Sequence, residues 1–454
     1  MKTRVDASRA TSQTGVPVDV RRLAIAEFTT AVGVWGTVVV LAVYAWNEGG
    51  PGAVGLMALS RALPSGLGGP LLGGAAARLS RRATLLVTNA ARAVIVVGIS
   101  GLVAGGVALP AIYALMAALG LLDLVYESVS GTLLCEIVAD PYSLASANAS
   151  VSGASNGGFL VGSAGAGFVL AAGSTSSALV ALAVVFVVSL VPLCLIAHTD
   201  RTPDGRVNAR FQSVLAWRDA IRVGGLREAA GWLSLVSVID GVVDVLVVCA
   251  ALGYLGAGDA GAGMLQATIG VGTIAGSVVF LSPRRVPRLV AGVVVGSVVL
   301  GVSLIAVGAV SHLGAVMVIL GLGGLGSAVA EVGAVTLVQR HAPTERRVRM
   351  LGAVVSMKAI SYALGAALAG ALAGRLGARV AFVSTGVAAL SAAVAFGVAI
   401  LLRARSAPSI PHDPLTARWD LAASVAGGRS RSRTAPEMTA DGRGRLVIEF
   451  RCVV

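Results

Sequence analysis

The sequence is poor in the side chains that build metal and redox centres. It has four cysteines and four histidines in 454 residues. None of the cysteines form a Cys-x-x-Cys pair, and the histidines are scattered, so neither a zinc site nor a haem site is predicted. Aromatic residues make up only 4% of the chain. Because no basic cluster is interleaved with aromatic residues, the net charge of +13 does not indicate a nucleic-acid-binding protein.

Charged residues are scarce as well. They make up 13% of the chain, about half the ~25% that is typical of soluble domains. Hydrophobic residues reach 56%, and the mean hydropathy is +0.87. The apolar residues form runs of about 20–26 residues, the length of a helix that crosses a bilayer. Since backbone groups in hydrocarbon must be paired within their own helix, the runs predict an all-α membrane protein with about twelve transmembrane helices.

Arginines are concentrated in every second connection between these runs. The connection after the second run carries Arg78, Arg81 and Arg82, and the even-numbered connections that follow are also basic. The odd-numbered connections are nearly free of positive charge, except for Arg375 and Arg379 before the last run. Positive charge marks the cytoplasmic side, so both termini are predicted to be cytoplasmic in a multi-pass protein of the cell (plasma) membrane.

The chain repeats itself at an offset of about 204 residues. The Gly120-to-Leu133 pattern of glycine, leucine, valine, glutamate and threonine recurs at Gly324-to-Leu337, and this places Glu127 and Glu331 at equivalent positions. Gly55 and Gly263 also match. The repeat predicts two pseudo-symmetric six-helix bundles.

These patterns divide the chain into five parts. The segment 199–227 is interpreted as a linker with an amphipathic surface helix, and an ordinary turn is the alternative. The last residues, 446–454, are strand-like but too short to fold alone. The predicted parts are a cytoplasmic N-terminal tail (1–20), the first bundle (21–198), the linker (199–227), the second bundle (228–403) and a cytoplasmic, largely disordered tail (404–454).

One turn resembles a signature of the major facilitator superfamily. That superfamily carries a Gly-x-x-x-Asp-Arg-x-x-Arg-Arg turn between its second and third spans, and this chain has Gly73, Arg78, Arg81 and Arg82 at the matching positions. The acidic position is Ala77. The resemblance implies the major facilitator fold, a small-molecule substrate and a cytoplasmic gate at this turn, with the acid of the gate missing.

A weaker resemblance concerns the fifth span. Gly158, Gly162 and Gly167 are similar to the glycine motif of the drug:proton antiporter branch, although its proline is absent. Close packing of small residues is the alternative explanation. Two further stretches, Gly33–Leu56 and Gly224–Leu246, resemble an actinobacterial-type branch of the superfamily.

Ionisable residues within the spans are costly and therefore mark candidate functional positions. The acids fall on spans one, four, seven and ten, which the resemblance implies to be the helices that line a central cavity. Asp123/Glu127 and Asp240/Asp244 are i,i+4 pairs, and repulsion between two carboxylates on one helix face favours a retained proton on one of them. The candidates for proton coupling are Asp123, Glu127 and Glu331, and those for the substrate path are Trp35, Tyr126, Asp240 and Asp244.

A structural explanation of the same charges stays open. Arg92 with Glu127, and Lys358 with Glu331, are predicted as alternative buried pairs that brace neighbouring helices. Arg61 is expected to brace rather than to bind substrate.

The favoured function is proton-coupled export of a small amphiphilic or drug-like molecule by alternating access. The partners expected are the substrate, protons and the lipid bilayer, with no nucleic acid, no cofactor and no metal, in a monomeric protein. No P-loop is present, so an ion gradient is the expected energy source. The alternatives are an importer or uniporter on the same fold, and a non-transporting membrane sensor or assembly subunit, which Ala77 slightly favours. No constellation of residues indicates an enzyme.

Overall fold

The computed structural model describes residues 18–76, 79–138, 141–197, 224–278, 289–341, 347–406, 437–440 and 446–449. Several predictions fall on other residues. These are most of the N-terminal tail, most of the linker with its predicted amphipathic helix, Arg78 of the predicted gate, and most of the C-terminal tail. The predicted boundaries of the five parts therefore stay predictions.

The described part of the membrane region is helical throughout, as the apolar runs predict. Where the structure describes the whole connection, short turns join the helices, and several of these turns contain glycine. The helices are α1 (Val18–Ala76), α2 (Arg81–Ala104), α3 (Leu109–Ile137), α4 (Pro141–Ala172), α5 (Thr175–Val188), α6 (Leu190–Leu195), α7 (Gly224–Leu252), α8 (Gly258–Val278), α9 (Leu289–Ala309), α10 (Leu313–His341), α11 (Arg347–Leu376) and α12 (Ala378–Ser406).

Ten helical segments among the described residues are long and apolar enough to cross a membrane, and the chain is a multi-pass membrane protein. This number does not confirm twelve spans. In the count of ten, α1 is a single segment, although α1 consists of two helices joined at a kink where Gly50 has φ 65° and ψ −156°. The count also leaves out α8, in which six of 21 residues are glycine.

The sequence repeat is visible in how the helices pack. A Cβ atom on Gly120 of α3 would lie 1.9 Å from the carbonyl oxygen of Arg61 in α1. At the equivalent place in the repeat, a Cβ atom on Gly324 of α10 would lie 2.5 Å from the carbonyl oxygen of Ile269 in α8. Both crossings need glycine because one backbone lies against another.

Contacts between the two parts of the repeat follow the same symmetry. A Cβ atom on Gly55 of α1 would lie 2.9 Å from Cα of Gly370 in α11. A Cβ atom on Gly167 of α4 would lie 3.0 Å from Cα of Gly263 in α8. Gly55 and Gly263 are the matched glycines of the sequence repeat, so each half contacts the other through an equivalent pair of helices.

Arg379, one of the two arginines that depart from the charge pattern, makes specific contacts with neighbouring helix ends. The Arg379 guanidinium, at the start of α12, lies 4.5 Å from the centre of the Tyr254 ring and donates to Ser311 Oγ at 2.5 Å. The Tyr254 hydroxyl in turn donates to the carbonyl oxygen of Val307 at 3.0 Å. These contacts join three helix ends on one side of the second bundle.

The C-terminal tail contains a short hairpin. Strand β1 (Glu437–Ala440) pairs antiparallel with β2 (Leu446–Glu449), with Glu437 opposite Glu449. The strand-like character of the last residues was predicted from the sequence. Their partner strand was not, because Glu437–Ala440 is only four residues long and contains glutamate and alanine, which are depleted in strands.

Two glycines of α11 provide a test of the crossing contacts. A Cβ atom on Gly365 would lie 2.0 Å from the carbonyl oxygen of Val238, whereas nothing lies within 4 Å of a Cβ atom on Gly374. We expect Gly365→Ala to destabilise the purified protein by about 1–3 kcal/mol because α7 and α11 must separate. Gly374→Ala is the matched control. Thermal unfolding in detergent measures both, and equal midpoints for the two variants would contradict the packing.

Candidate functional site

A cavity of about 780 Å³ lies between the two halves. This volume is within the range of about 300–1,000 Å³ typical of small-molecule sites. Its wall combines aromatic, apolar, hydroxyl and charged side chains. The residues of the wall that matter for the chemistry are Trp35, Glu127, Phe159, Asp240, Asp244, Ser327, Glu331, Lys358 and Tyr362.

The cavity extends towards one side of the bundle. Its wall includes Ser277, the penultimate residue of α8, and Thr336, which lies five residues before the end of α10. These helix ends adjoin the arginine-rich connections, and this side is called the arginine-rich side below. Two pairs of glycine contacts between the halves, Gly55 with Gly370 and Gly167 with Gly263, lie within six residues of the helix ends on the opposite side. A third contact, of Gly66 in α1 with Ile360 in α11, lies nearer the arginine-rich side. α1 and α11 therefore contact each other over much of their length, and the cavity lies among the other helices of the two halves.

Asp123 of α3 is held by two arginines. Its Oδ2 lies 2.7 Å from Nη2 of Arg61, and its Oδ1 lies 2.9 Å from Nη2 of Arg92. The Arg92 side chain is 2% exposed and also donates to Asn89 Oδ1 at 2.8 Å. The predicted alternative pairing of Arg92 with Glu127 is therefore wrong. Asp123 lies between α1 and α2, where both guanidinium groups reach its two oxygens.

Glu127 lies one helical turn further along α3 and is in a different environment. Its side chain is exposed and lines the cavity. It forms no hydrogen bond or ion pair with any residue that the structure describes. Of the two acids on this face, one is bound by two cations and the other is free.

The two aromatic candidates for the substrate path differ. Trp35 lines the cavity and forms an edge-to-face pair with Phe159, with ring centres 4.7 Å apart. Tyr126 is 2% exposed, and its ring lies 4.7 Å from the Arg92 guanidinium carbon. Thr30 donates to its hydroxyl at 3.3 Å. The expectation that Tyr126 faces the cavity is wrong, because its ring and hydroxyl are used inside the first bundle.

The three candidate acids of the second half, Asp240, Asp244 and Glu331, all line the cavity, and each has a partner. Ser327 donates to Asp240 Oδ1 at 2.7 Å. Gln266 donates to Asp244 Oδ1 at 2.8 Å, and the Tyr362 hydroxyl donates to its other oxygen. Lys358 forms an ion pair with Glu331, as the alternative explanation predicted.

Three of these partners were not recognised in the sequence. Tyr362 follows Lys358 by four residues on α11, so the two share one helix face, and this spacing was an available signal. Ser327 stands at the repeat position of Asp123, which was a second signal. Nothing in the local sequence around Gln266 indicates a partner for Asp244, because the two residues lie on different helices.

The predicted gate turn is described only in part. Arg81 forms an ion pair with Glu136 at the end of α3, and Arg82 donates to the carbonyl oxygen of Cys194 at the end of α6. Both contacts lie within the first half. Gly73 is in the last turn of α1. These two arginines fasten helix ends of one bundle to each other, and their role in gating stays a prediction.

Comparison with known proteins places the fold. The family model of the Major Facilitator Superfamily matches residues 23–299 and 233–436. The chain belongs to the Major Facilitator Superfamily. A search of curated proteins found no match. Family membership and fold indicate a transporter rather than an enzyme.

Solved structures of transporters share the major facilitator fold of this chain. A POT family transporter in complex with a thioalcohol-conjugated peptide has a TM-score of 0.70 at 13% identity, covering 85% of this chain and 96% of the other. The nucleoside transporter NupG has a TM-score of 0.64 at 13% identity, covering 84% and 98%. At such identity the likeness shows the fold alone. The resemblance to the drug:proton antiporter branch is not confirmed.

The two acids of α3 give a prediction about stability. Asp123→Asn leaves buried Arg92 without its carboxylate, and we expect a loss of about 3–5 kcal/mol. Glu127→Gln removes no contact of the described residues, and we expect a change within about 0.5 kcal/mol. Scanning fluorimetry of the purified variants measures both. A larger loss for Glu127→Gln than for Asp123→Asn would show that the arginines are not held as described.

Proposed function

We propose that this major facilitator protein is a proton-coupled secondary transporter that exports a small amphiphilic molecule by alternating access. One observation carries the proposal. The cavity between the halves contains one carboxylate, that of Glu127, without a partner among the described residues, whereas the other charged side chains of its wall are paired. An unpaired acid inside a membrane protein needs a wet cavity or a function.

The environment of Glu127 suits proton exchange. A carboxylate that is free in a wet cavity loses no protein contact when it takes up a proton. Asp123 would lose its attraction to two guanidinium groups, and Glu331 its attraction to Lys358. The ion pairs therefore favour Glu127 as the proton carrier and Asp123 as a brace between α1, α2 and α3.

The wall of the cavity supports an amphiphilic substrate. Trp35 and Phe159 present aromatic surface, and Ile269 and Leu304 add aliphatic surface to the same wall. Asp240 and Asp244 provide polar atoms on the side of α7. Apolar walls with a few placed polar groups are the usual composition of small-molecule sites. We infer a substrate with a large apolar part and a small polar group.

The arrangement of the helices supports twelve spans. The kink at Gly50 divides α1 into two parts, each long enough to cross the ~30 Å core. Segments α5 and α6 form one continuous apolar stretch, Thr175–Leu195. With α8 included, twelve crossings result and both termini are on one side. By the positive-inside rule that side is the cytoplasm, and the cavity extends towards it.

A transport assay tests the proton-coupled function. Purified protein in proteoliposomes with an internal pH dye is exposed to a panel of amphiphilic compounds selected by thermal stabilisation of the protein. We expect a binding compound to drive proton movement, and Glu127→Gln to reduce that movement by about tenfold or more while binding persists. Glu48→Gln, an exposed acid outside the cavity wall, is the matched control.

Proton movement that is equal in wild type and Glu127→Gln would refute the assignment of Glu127. Binding without any transport would favour a sensor. Accumulation of the compound in everted vesicles distinguishes an exporter from an importer.

The orientation has a separate test. In a background without cysteine, Asn47→Cys, beside the Gly50 kink, is expected to react with a membrane-impermeant maleimide in intact cells. Ser80→Cys, at the start of α2, is expected to react only in everted vesicles. The reverse pattern would invert the proposed topology.

A further inference from the structure

Two equivalent carboxylates and one ammonium group face the cavity from opposite halves. Glu127 on α3 and Glu331 on α10 occupy matching positions in the repeat, and both line the cavity. Lys358 on α11 is the only cationic side chain among the described residues of the cavity wall. The repeat thus places one of these acids in each half, whereas among the described residues of the cavity wall only the second half provides a cation.

In this structure Lys358 is bound to Glu331, within the second half. An ammonium group has three N–H donors, so one ion pair leaves donors for a second carboxylate. The Lys358 side chain is 39% exposed, and its charge acts on Glu127 and on Asp240 as well as on Glu331. Lys358 therefore has both the donors and the access to reach across the cavity.

The other cations near Glu127 are already bound. Arg61 from α1 and Arg92 from α2 are close enough to act electrostatically on Glu127, but both are paired with Asp123 on its own helix. Glu27 from α1 is the remaining charged neighbour, and Ser130 donates to it. Among the described residues this leaves Lys358 as the cation available to an ionised Glu127.

The charged groups on the other side of Lys358 do not compete strongly for it. Asp240 from α7 accepts a hydrogen bond from Ser327, and Asp244 accepts two, from Gln266 and Tyr362. Among the described residues of the second half, only Glu331 forms an ion pair with Lys358.

We propose that Lys358 is a shared counter-ion which, in the empty carrier, bridges Glu331 and ionised Glu127 and so holds the two halves together. The inference rests on the proposed proton coupling and adds the residue that enforces it. Protonation of Glu127 removes its charge, and Lys358 stays with Glu331, which is the arrangement in this structure. The bridge stops the empty, deprotonated carrier from changing state, so protons do not leak without substrate.

The test measures proton leak without any substrate. Full-length protein in proteoliposomes is given a pH gradient, and leak is followed with an internal pH dye. We expect Lys358→Met to raise the leak about tenfold, because the empty deprotonated carrier is no longer held. Lys358→Arg is expected to keep the leak near the wild-type level. Lys358→Met with Glu127→Gln is expected to lose the leak again, because the proton carrier is gone.

Lys358→Met leaves Glu331 unpaired and can impair folding, so the double variant Lys358→Met/Glu331→Gln is measured as well and is expected to leak equally. A wild-type leak in that folded double variant would overturn the proposal. If no compound moves protons through the wild type but Lys358→Met leaks through Glu127, the proposed transport function is refuted and the proposed role of Lys358 is supported. If transport is proton-coupled but Lys358→Met does not leak, the counter-ion alone fails.

A second measurement reads the bridge directly. In a cysteine-free background, Thr336→Cys on the cavity wall is labelled with an impermeant maleimide in everted vesicles at increasing pH. We expect labelling to slow as Glu127 ionises and the halves are held together. With Glu331→Gln the slowing is expected at lower pH, because Lys358 then serves Glu127 alone, and with Glu127→Gln it is expected to vanish. Identical profiles for the two variants would contradict a shared counter-ion.

Discussion

The cost of an uncompensated charge in a low-dielectric environment governs the arrangement of this protein. A charged side chain within the bilayer needs a partner or water. Asp123 has two arginines, Glu331 has Lys358, and Asp240 and Asp244 have hydrogen-bond donors. The carboxylate of Glu127 has no partner among the residues that the structure describes, and it is tolerated because it lines the cavity. The distribution of partners, more than the acids themselves, therefore separates bracing positions from the position that is proposed to exchange protons.

The sequence was sufficient for the fold class and for the helices that carry the acids, because apolar length and charge position depend on local composition. It was also sufficient to find Glu127 and Glu331 through the repeat. It was not sufficient to separate Asp123 from Glu127, since their spacing puts both on one face. Their difference arises from Arg61 and Arg92 on other helices, and such contacts are set by tertiary packing. The misplacement of Tyr126 has the same origin.

The repeat has preserved backbone contacts more closely than charge. The glycine crossings at Gly120 and Gly324 are equivalent, and so are the contacts of Gly55 and Gly263 with the opposite half. The polar side chains at equivalent positions of the two halves differ. Ser327 replaces Asp123 at the equivalent position, and it donates to Asp240 instead of binding arginine. The two halves therefore share their backbone packing but differ in their polar contacts. In the first half arginines bind an acid, and in the second half hydrogen-bond donors bind the acids of the cavity wall.

The glycine contacts between the halves have a consequence for the kinetics of switching. Where Gly55 faces Gly370 and Gly167 faces Gly263, the two surfaces have no side chains that interlock. Rotation of one bundle against the other then requires no rotamer changes and little repacking at these points. These two contacts should accordingly add little to the activation barrier to reorientation, less than the electrostatic attachments, which respond to ionic strength and bound ligands.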